Sequence, residues 1–175
     1  MRRGRLIEDR LVKQKLERDI ELARRIQQSS FPAVLPTING FDIAAWNQPA
    51  DETGGDVYDV IGVQGDRHSA VDGPSAAAPT ASTSNEASGS QRVVLLMADA
   101  TGHGVGPALS VTQLRSMLRM AVRLGADLSD IARHVNQQLC DDLPNGRFIT
   151  AWFGVLDANH GTLTSYSAGQ APLLV

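Results

Sequence analysis

The chain has 175 residues, enough for one domain with its own hydrophobic core, and carries 16 Lys+Arg against 19 Asp+Glu. Its longest uninterrupted apolar run, Val93 to Ala98, excludes a membrane-spanning helix, which takes ~20 such residues. The single cysteine, Cys140, excludes an intrachain disulfide and suits a reducing, cytoplasmic setting.

The N-terminus, Met-Arg-Arg-Gly-Arg, leads into mixed charge and lacks the apolar stretch of a secretory signal. Residues 1–28 hold nine Lys/Arg and five Asp/Glu, leaving seven and fourteen for the remainder. An acidic body suits cation binding better than nucleic-acid binding, which calls for a basic face.

Residues 5–30 are predicted to form a helix, because Val12, Leu16, Ile20 and Ala23 share one face. Asp9 with Lys13 and Glu21 with Arg25 are spaced as favourable pairs one turn apart, and Pro32 ends the helix. An apolar stripe on so charged a helix can pack on its own domain or pair with a second copy as a coiled coil. Phe41–Trp46 and Val57–Val63 are expected strands, separated by a turn over residues 48–56. Residues 66–91 are small and polar without periodicity. They are expected to be a disordered insertion in a hairpin connection.

Arg92–Ala98 is expected to be a strand buried on both faces. Pro107–Leu124 follows as a helix, with Pro107 at its first position and Gly125 at its C-terminal cap. Leu114, Met117, Leu118 and Ala121 form its apolar face, while Arg115, Arg119 and Arg123 form a stripe expected to face solvent. Ser129–Asp142 is a second helix, and Phe148–Leu156 with Thr162–Ala168 a hairpin around Asp157–Gly161. Without regular strand–helix alternation, the order favours an α+β domain with antiparallel sheets.

Two segments place glycine and aspartate at strand–turn junctions: Glu52-Thr-Gly-Gly-Asp56 and Asp99-Ala-Thr-Gly-His-Gly104. A carboxylate ending an apolar strand is costly unless it is paired, hydrogen-bonded or metal-bound. Gly102 and Gly104 open the backbone to close ligand approach, and the following helix N-terminus favours an anion. A hard divalent cation between carboxylate and anion reconciles the two, and His103 in the glycine loop is open to either of two readings, a contact to such a phosphate or a solvent-facing side chain. Each segment alone is also compatible with an ordinary turn. No Walker-type Gly-Lys-Ser/Thr, His-Glu-x-x-His or Cys-x-x-Cys is present.

In order, Ala23-Arg-Arg-Ile-Gln-Gln28 with Phe31-Pro32 and Leu35-Pro36, Pro49 through Asp59, Ala98 through Ala108, Phe148-Ile-Thr150 with Gly154 and Asp157, and Ala168-Gly169 with Pro172 and Leu173-Leu174 form a specific series. The series resembles the SpoIIE/RsbU-type branch of the PPM metal-dependent protein phosphatases. The resemblance implies a four-layer α-β-β-α sandwich of two antiparallel sheets, with a Mn²⁺ or Mg²⁺ centre of two ions at one edge. By position, Asp99 matches the aspartate bridging both ions. Ala100 would lend its backbone carbonyl to one ion, and Asp56 would hold that same ion directly or through water. A metal-bridging water would attack the phosphorus, with no covalent phosphoenzyme. The implied substrate is a phosphoserine or phosphothreonine on a STAS-domain anti-anti-sigma protein, in bacterial partner-switching signalling. Residues 1–30 match a linker helix that often dimerises, and residues 31–175 match the front of the phosphatase domain. The helices after Asp99 match the element proposed to switch metal-site geometry.

Ser167 and Gln170 stand where the family commonly has Asn and His. The family domain also continues past the position of Val175, with a Thr-Asp-Gly segment and a terminal aspartate that complete the metal set. Asp141, Asp142 and Asp157 do not replace them in context. This chain is therefore expected to be incomplete at its C-terminal side, to bind metal weakly and to turn over poorly. The rival reading is a non-catalytic phosphatase-like module that binds a partner and dimerises through residues 5–30. A scaffold has no need of both Asp56 and Asp99, and a nucleotide-binding reading of the glycine loop lacks a supporting lysine.

Overall fold

A computed structural model describes residues 2–49, 53–63 and 91–170, with side chains from Ile7 onward. The elements are α1 (Arg2–Ser30), β1 (Asp56–Val63), β2 (Arg92–Ala100), α2 (Val105–Arg123), α3 (Leu128–Asp142), β3 (Ile149–Asp157) and β4 (Thr162–Ala168). The four strands form one antiparallel sheet in the order β1-β2-β3-β4. Residues 64–90, which hold most of the expected insertion, lie outside the described residues. They join Val63 to Arg92 through Gln91, and Val63 and Arg92 are register partners, so they connect neighbouring antiparallel strands.

Side chains alternate between the two faces of a strand, and cross-strand partners share a face. Val57, Ala98 and Ala151 therefore lie on one face, as do Ile61, Val94 and Val155. This face carries the main core, closed by Val111, Leu114 and Leu118 of α2 and Ile131 of α3. Burying a Leu or Val here contributes about 1.5–3 kcal/mol, which makes this helix-on-sheet layer the main source of cohesion. The opposite face holds a smaller cluster of Val60, Val93 and Leu156 with Ile38. β2 is thus apolar on both sides at Val93 and Val94, as its continuous hydrophobic run predicts.

The described residues form one four-stranded antiparallel sheet of the expected α+β architecture. Several finer expectations are corrected. Phe41–Trp46 forms no strand and makes only a bridge between Ile38 and Phe41. Leu35, Ile38 and Ile43 pack on the second face of the sheet instead of along an edge, so the segment has no ladder partner there. Helix α2 begins at Val105, so Pro107 sits third, still within the first turn, whose N–H groups have no partner inside the helix. Gly125 does take the positive φ of a C-terminal cap residue, +72°.

In α1, Val12 and Leu16 are exposed, and the face turns inward only from Ile20. Glu21 pairs with Arg25 at 3.4 Å as expected, while Lys13 approaches Glu17 at 3.8 Å instead of Asp9. No described helix is long and apolar enough to cross a membrane.

Candidate metal centre

Asp56 opens β1 and Asp99 lies near the end of β2, and the register sets them directly opposite each other. Both fall on the face away from the helices, with Thr150 of β3 as the next partner across. Two carboxylates in adjacent cross-strand positions repel unless something positive lies between them. Partial burial and the negative charge of Asp56 both push the Asp99 carboxyl above its ordinary range.

The turn before Asp56 is fitted to the end of β2. A Cβ on Gly55 would stand 2.5 Å from the Ala100 carbonyl oxygen and 2.9 Å from Asp99 Oδ1. Only glycine leaves room for that approach. The Ala100 N–H donates to the Gly55 carbonyl at 3.0 Å, locking the two segments together. Asn47 donates its Nδ2 to the Asp56 carbonyl at 3.3 Å. Asp56, Asp99 and the Ala100 carbonyl, the three predicted ligands, are therefore drawn to one corner of the sheet. Three oxygen donors of this kind suit a hard cation such as Mg²⁺ or Mn²⁺, which takes about six and keeps several as water. Among the described residues no group of three or more His, Cys, Asp or Glu side chains is placed to hold a metal.

The segment after Asp99 is pinned from the other side. Thr101 N–H donates to the Phe148 carbonyl at 3.0 Å, and the Phe148 N–H donates to Thr101 Oγ1 at 3.2 Å. Gly102 and Gly104 take φ of 97° and 84°, as the close turn into α2 requires. The N-terminus of α2 has no side-chain cap. His103 is exposed on this loop. Thr150 Oγ1 donates to Gln170 Oε1 at 2.8 Å, and Ser167 Oγ donates to the Gln170 carbonyl at 3.1 Å. The two positions that depart from the family pattern thus bond each other and brace the strand beside Asp99.

The remaining acidic candidates are engaged elsewhere. Asp142 accepts from Gln113 and Gln138. Asp157 accepts the N–H groups of Asn159 and His160 in the β3–β4 turn.

Sequence reasoning missed two polar anchors. Asp59 is fully buried, on the helix face, and Arg119 grips it with Nε to Oδ2 at 2.5 Å and Nη2 to Oδ1 at 2.7 Å. Arg115 Nε lies 2.9 Å from the same Oδ2, a charge contact without an aligned hydrogen bond. The hydrogen bond to Asp59 raises the Arg119 pKa, whereas desolvation lowers that of Arg115. Two of the three arginines assigned to a solvated stripe therefore hold α2 to β1. The signal available was Asp59, a polar residue inside an otherwise apolar strand. The second anchor is Gln27, buried at the end of α1 against the Gly54 turn.

Residues 89–175 match the family of Stage II sporulation protein E (SpoIIE). Protein IcfG of Synechocystis is 24% identical, an alignment covering 90% of this chain and 25% of that protein. Phosphoserine phosphatase RsbU of Bacillus subtilis is 20% identical, over 92% of this chain and 40% of its own. The crystal structure of the RsbU and RsbW domains of Rv1364c from Mycobacterium tuberculosis shares the fold with a TM-score of 0.50. Its identity is 23%, over 82% of this chain and 33% of that one. The chain thus spans between a quarter and two fifths of the relatives it matches. The motif series and the family match agree: residues 89–175 of the chain form part of a SpoIIE-family domain.

Proposed function

We propose that this chain contributes to a metal-dependent phosphoserine/phosphothreonine protein phosphatase, with Asp56, Asp99 and the Ala100 carbonyl as ligands of Mn²⁺ or Mg²⁺. The observation that carries this reading is the direct cross-strand pairing of Asp56 with Asp99 beside a carbonyl that only a glycine could approach. A bare pair of this kind costs stability, whereas a divalent cation between the carboxylates turns the repulsion into binding.

The bound cation supplies activation of water and neutralisation of phosphoryl charge. The chain's own part is placement. β1 and β2 hold the carboxylates in fixed register, and the Gly54–Gly55 turn fixes the height of the Ala100 carbonyl. The uncapped start of α2 directs backbone N–H groups towards the loop, where they favour the phosphoryl oxygens of a substrate.

The substrate proposed is a phosphorylated STAS-domain protein of a bacterial partner-switching pathway, in the cytoplasm. We also propose that a second antiparallel sheet covers the face where Met97 and Leu163 stand 40% and 52% exposed. That would complete the four-layer sandwich. Exposed Ile7, Leu11 and Leu22 on α1 support pairing with a second copy. The decisive assay is Mn²⁺-dependent phosphate release from a phosphoserine STAS protein. Activity should vanish in Asp99→Asn, and activity indifferent to that substitution would sink the mechanism.

A further inference from the structure

Gln27 is 5% exposed and sits near the C-terminal end of α1. Its carboxamide meets one residue 27 positions away through both ends: Nε2 donates to the Gly54 carbonyl at 2.7 Å, and the Gly54 N–H donates to Oε1 at 3.2 Å. This is the two-bond pattern by which one strand residue pairs with another, made here by a side chain. Gly54 cannot reach β2 in the same way, because it precedes the first register pair, Asp56 with Asp99. Its backbone groups would otherwise be left unpaired.

Gly55, the next residue, packs on the Ala100 carbonyl and Asp99 Oδ1, and Asp56 follows. We infer that Gln27 is a positioning residue of the metal centre: it sets the Gly54–Gly55 turn, and through it the spacing between Asp56 and the Asp99–Ala100 ligands. It touches none of the ligand atoms, so its effect passes through the turn. Groups that orient metal ligands from one shell out typically change metal affinity by ~10–100-fold when removed. The inference rests on the metal-centre reading above.

The test is a Mn²⁺ titration, followed by electron paramagnetic resonance, of the 175-residue chain and four variants. Gln27→Met keeps the shape and removes both hydrogen bonds. Gln27→Asn keeps the amide but is one methylene short of spanning both Gly54 groups. Ile131→Ala opens a cavity under α3, away from the site, and controls for lost stability. Asp99→Asn controls for the site itself.

Gln27→Met and Gln27→Asn should each bind Mn²⁺ ~10-fold or more weakly. Amide hydrogen exchange at Gly54 and Gly55 should also quicken in the metal-free protein. Ile131→Ala should lower Tm while keeping wild-type affinity and wild-type exchange at Gly54. If Asp99→Asn abolishes binding while both Gln27 variants stay within twofold of wild type, Gln27 is only a space-filling residue and the inference is overturned. Unchanged binding in Asp99→Asn would instead remove the metal centre itself. Unchanged exchange at Gly54 in Gln27→Met would overturn the positioning role without any metal present.

Discussion

Asp59→Ala removes the buried carboxylate that Arg119 and Arg115 close on beneath α2. It deletes a bidentate contact, a second charge contact and the acceptor for the Val60 N–H at 2.9 Å. Removing one partner from a buried ion pair typically costs 3–5 kcal/mol, because the charge left behind is uncompensated. Here the arginine side chains keep 13% and 29% exposure, so water reaches them once the carboxylate is gone. That places the expected loss at the lower end, about 3 kcal/mol.

In urea, with an m value of about 2 kcal/mol/M, the unfolding midpoint should fall by about 1.5 M at unchanged m. A combined Asp59→Val, Arg115→Met, Arg119→Met variant should recover most of the loss, since an apolar replacement of a whole buried cluster is often neutral or better. A loss below about 1 kcal/mol in Asp59→Ala would mean that the cluster does not hold α2 to the sheet.

Three further outcomes follow from the same geometry. Gly55→Ala should destabilise by about 1–3 kcal/mol through overpacking against the Ala100 carbonyl. It should also weaken Mn²⁺ binding measured by calorimetry, and unchanged binding would separate Gly55 from the centre. Asp99→Asn should raise the thermal midpoint of the metal-free chain at neutral pH by relieving the cross-strand repulsion with Asp56. A lower midpoint would show that the pair is not in conflict.

Asp127 caps α3 by accepting the N–H groups of Asp130 and Ser129, and these contacts hold its carboxyl below the ordinary range. A depressed folded-state pKa stabilises above the unfolded value of about 3.9 and loses that effect as pH falls through the folded value. The Tm gap between wild type and Asp127→Ala should therefore be widest near neutrality and narrow in acid. A gap independent of pH would argue against the cap.

Most of the elements could be read from local pattern because local forces determine them. The apolar run of β2, the Gly125 cap and the turn at Asp157–Gly161 each act over a few residues. Asp56 and Asp99 could be picked out as ligand candidates because the whole ordered motif series resembles a metal-dependent phosphatase, whereas either glycine–aspartate segment alone reads as an ordinary turn. Their exact opposition depends on the β1–β2 register, which no short window contains. Arg115 and Arg119 look like a solvated stripe because their partner lies 60 residues from Arg119, on another element. Phe41–Trp46 has strand-like alternation, yet alternation cannot tell a paired edge from a segment laid across a sheet. Gln27 looks like any polar residue on a charged helix until the fold brings Gly54 against it.

The centre itself is tested most directly by soaking a crystal of the chain in Mn²⁺ and locating the ion by anomalous scattering. The expected result is a peak at the β1–β2 corner, with a carboxylate oxygen of Asp99 and the Ala100 carbonyl at about 2.1 Å, typical of a small hard cation. Asp56 should be bound directly or through one water. A peak elsewhere on the chain, or a corner free of manganese at saturating concentration, would contradict the assignment of Asp56, Asp99 and Ala100 as metal ligands.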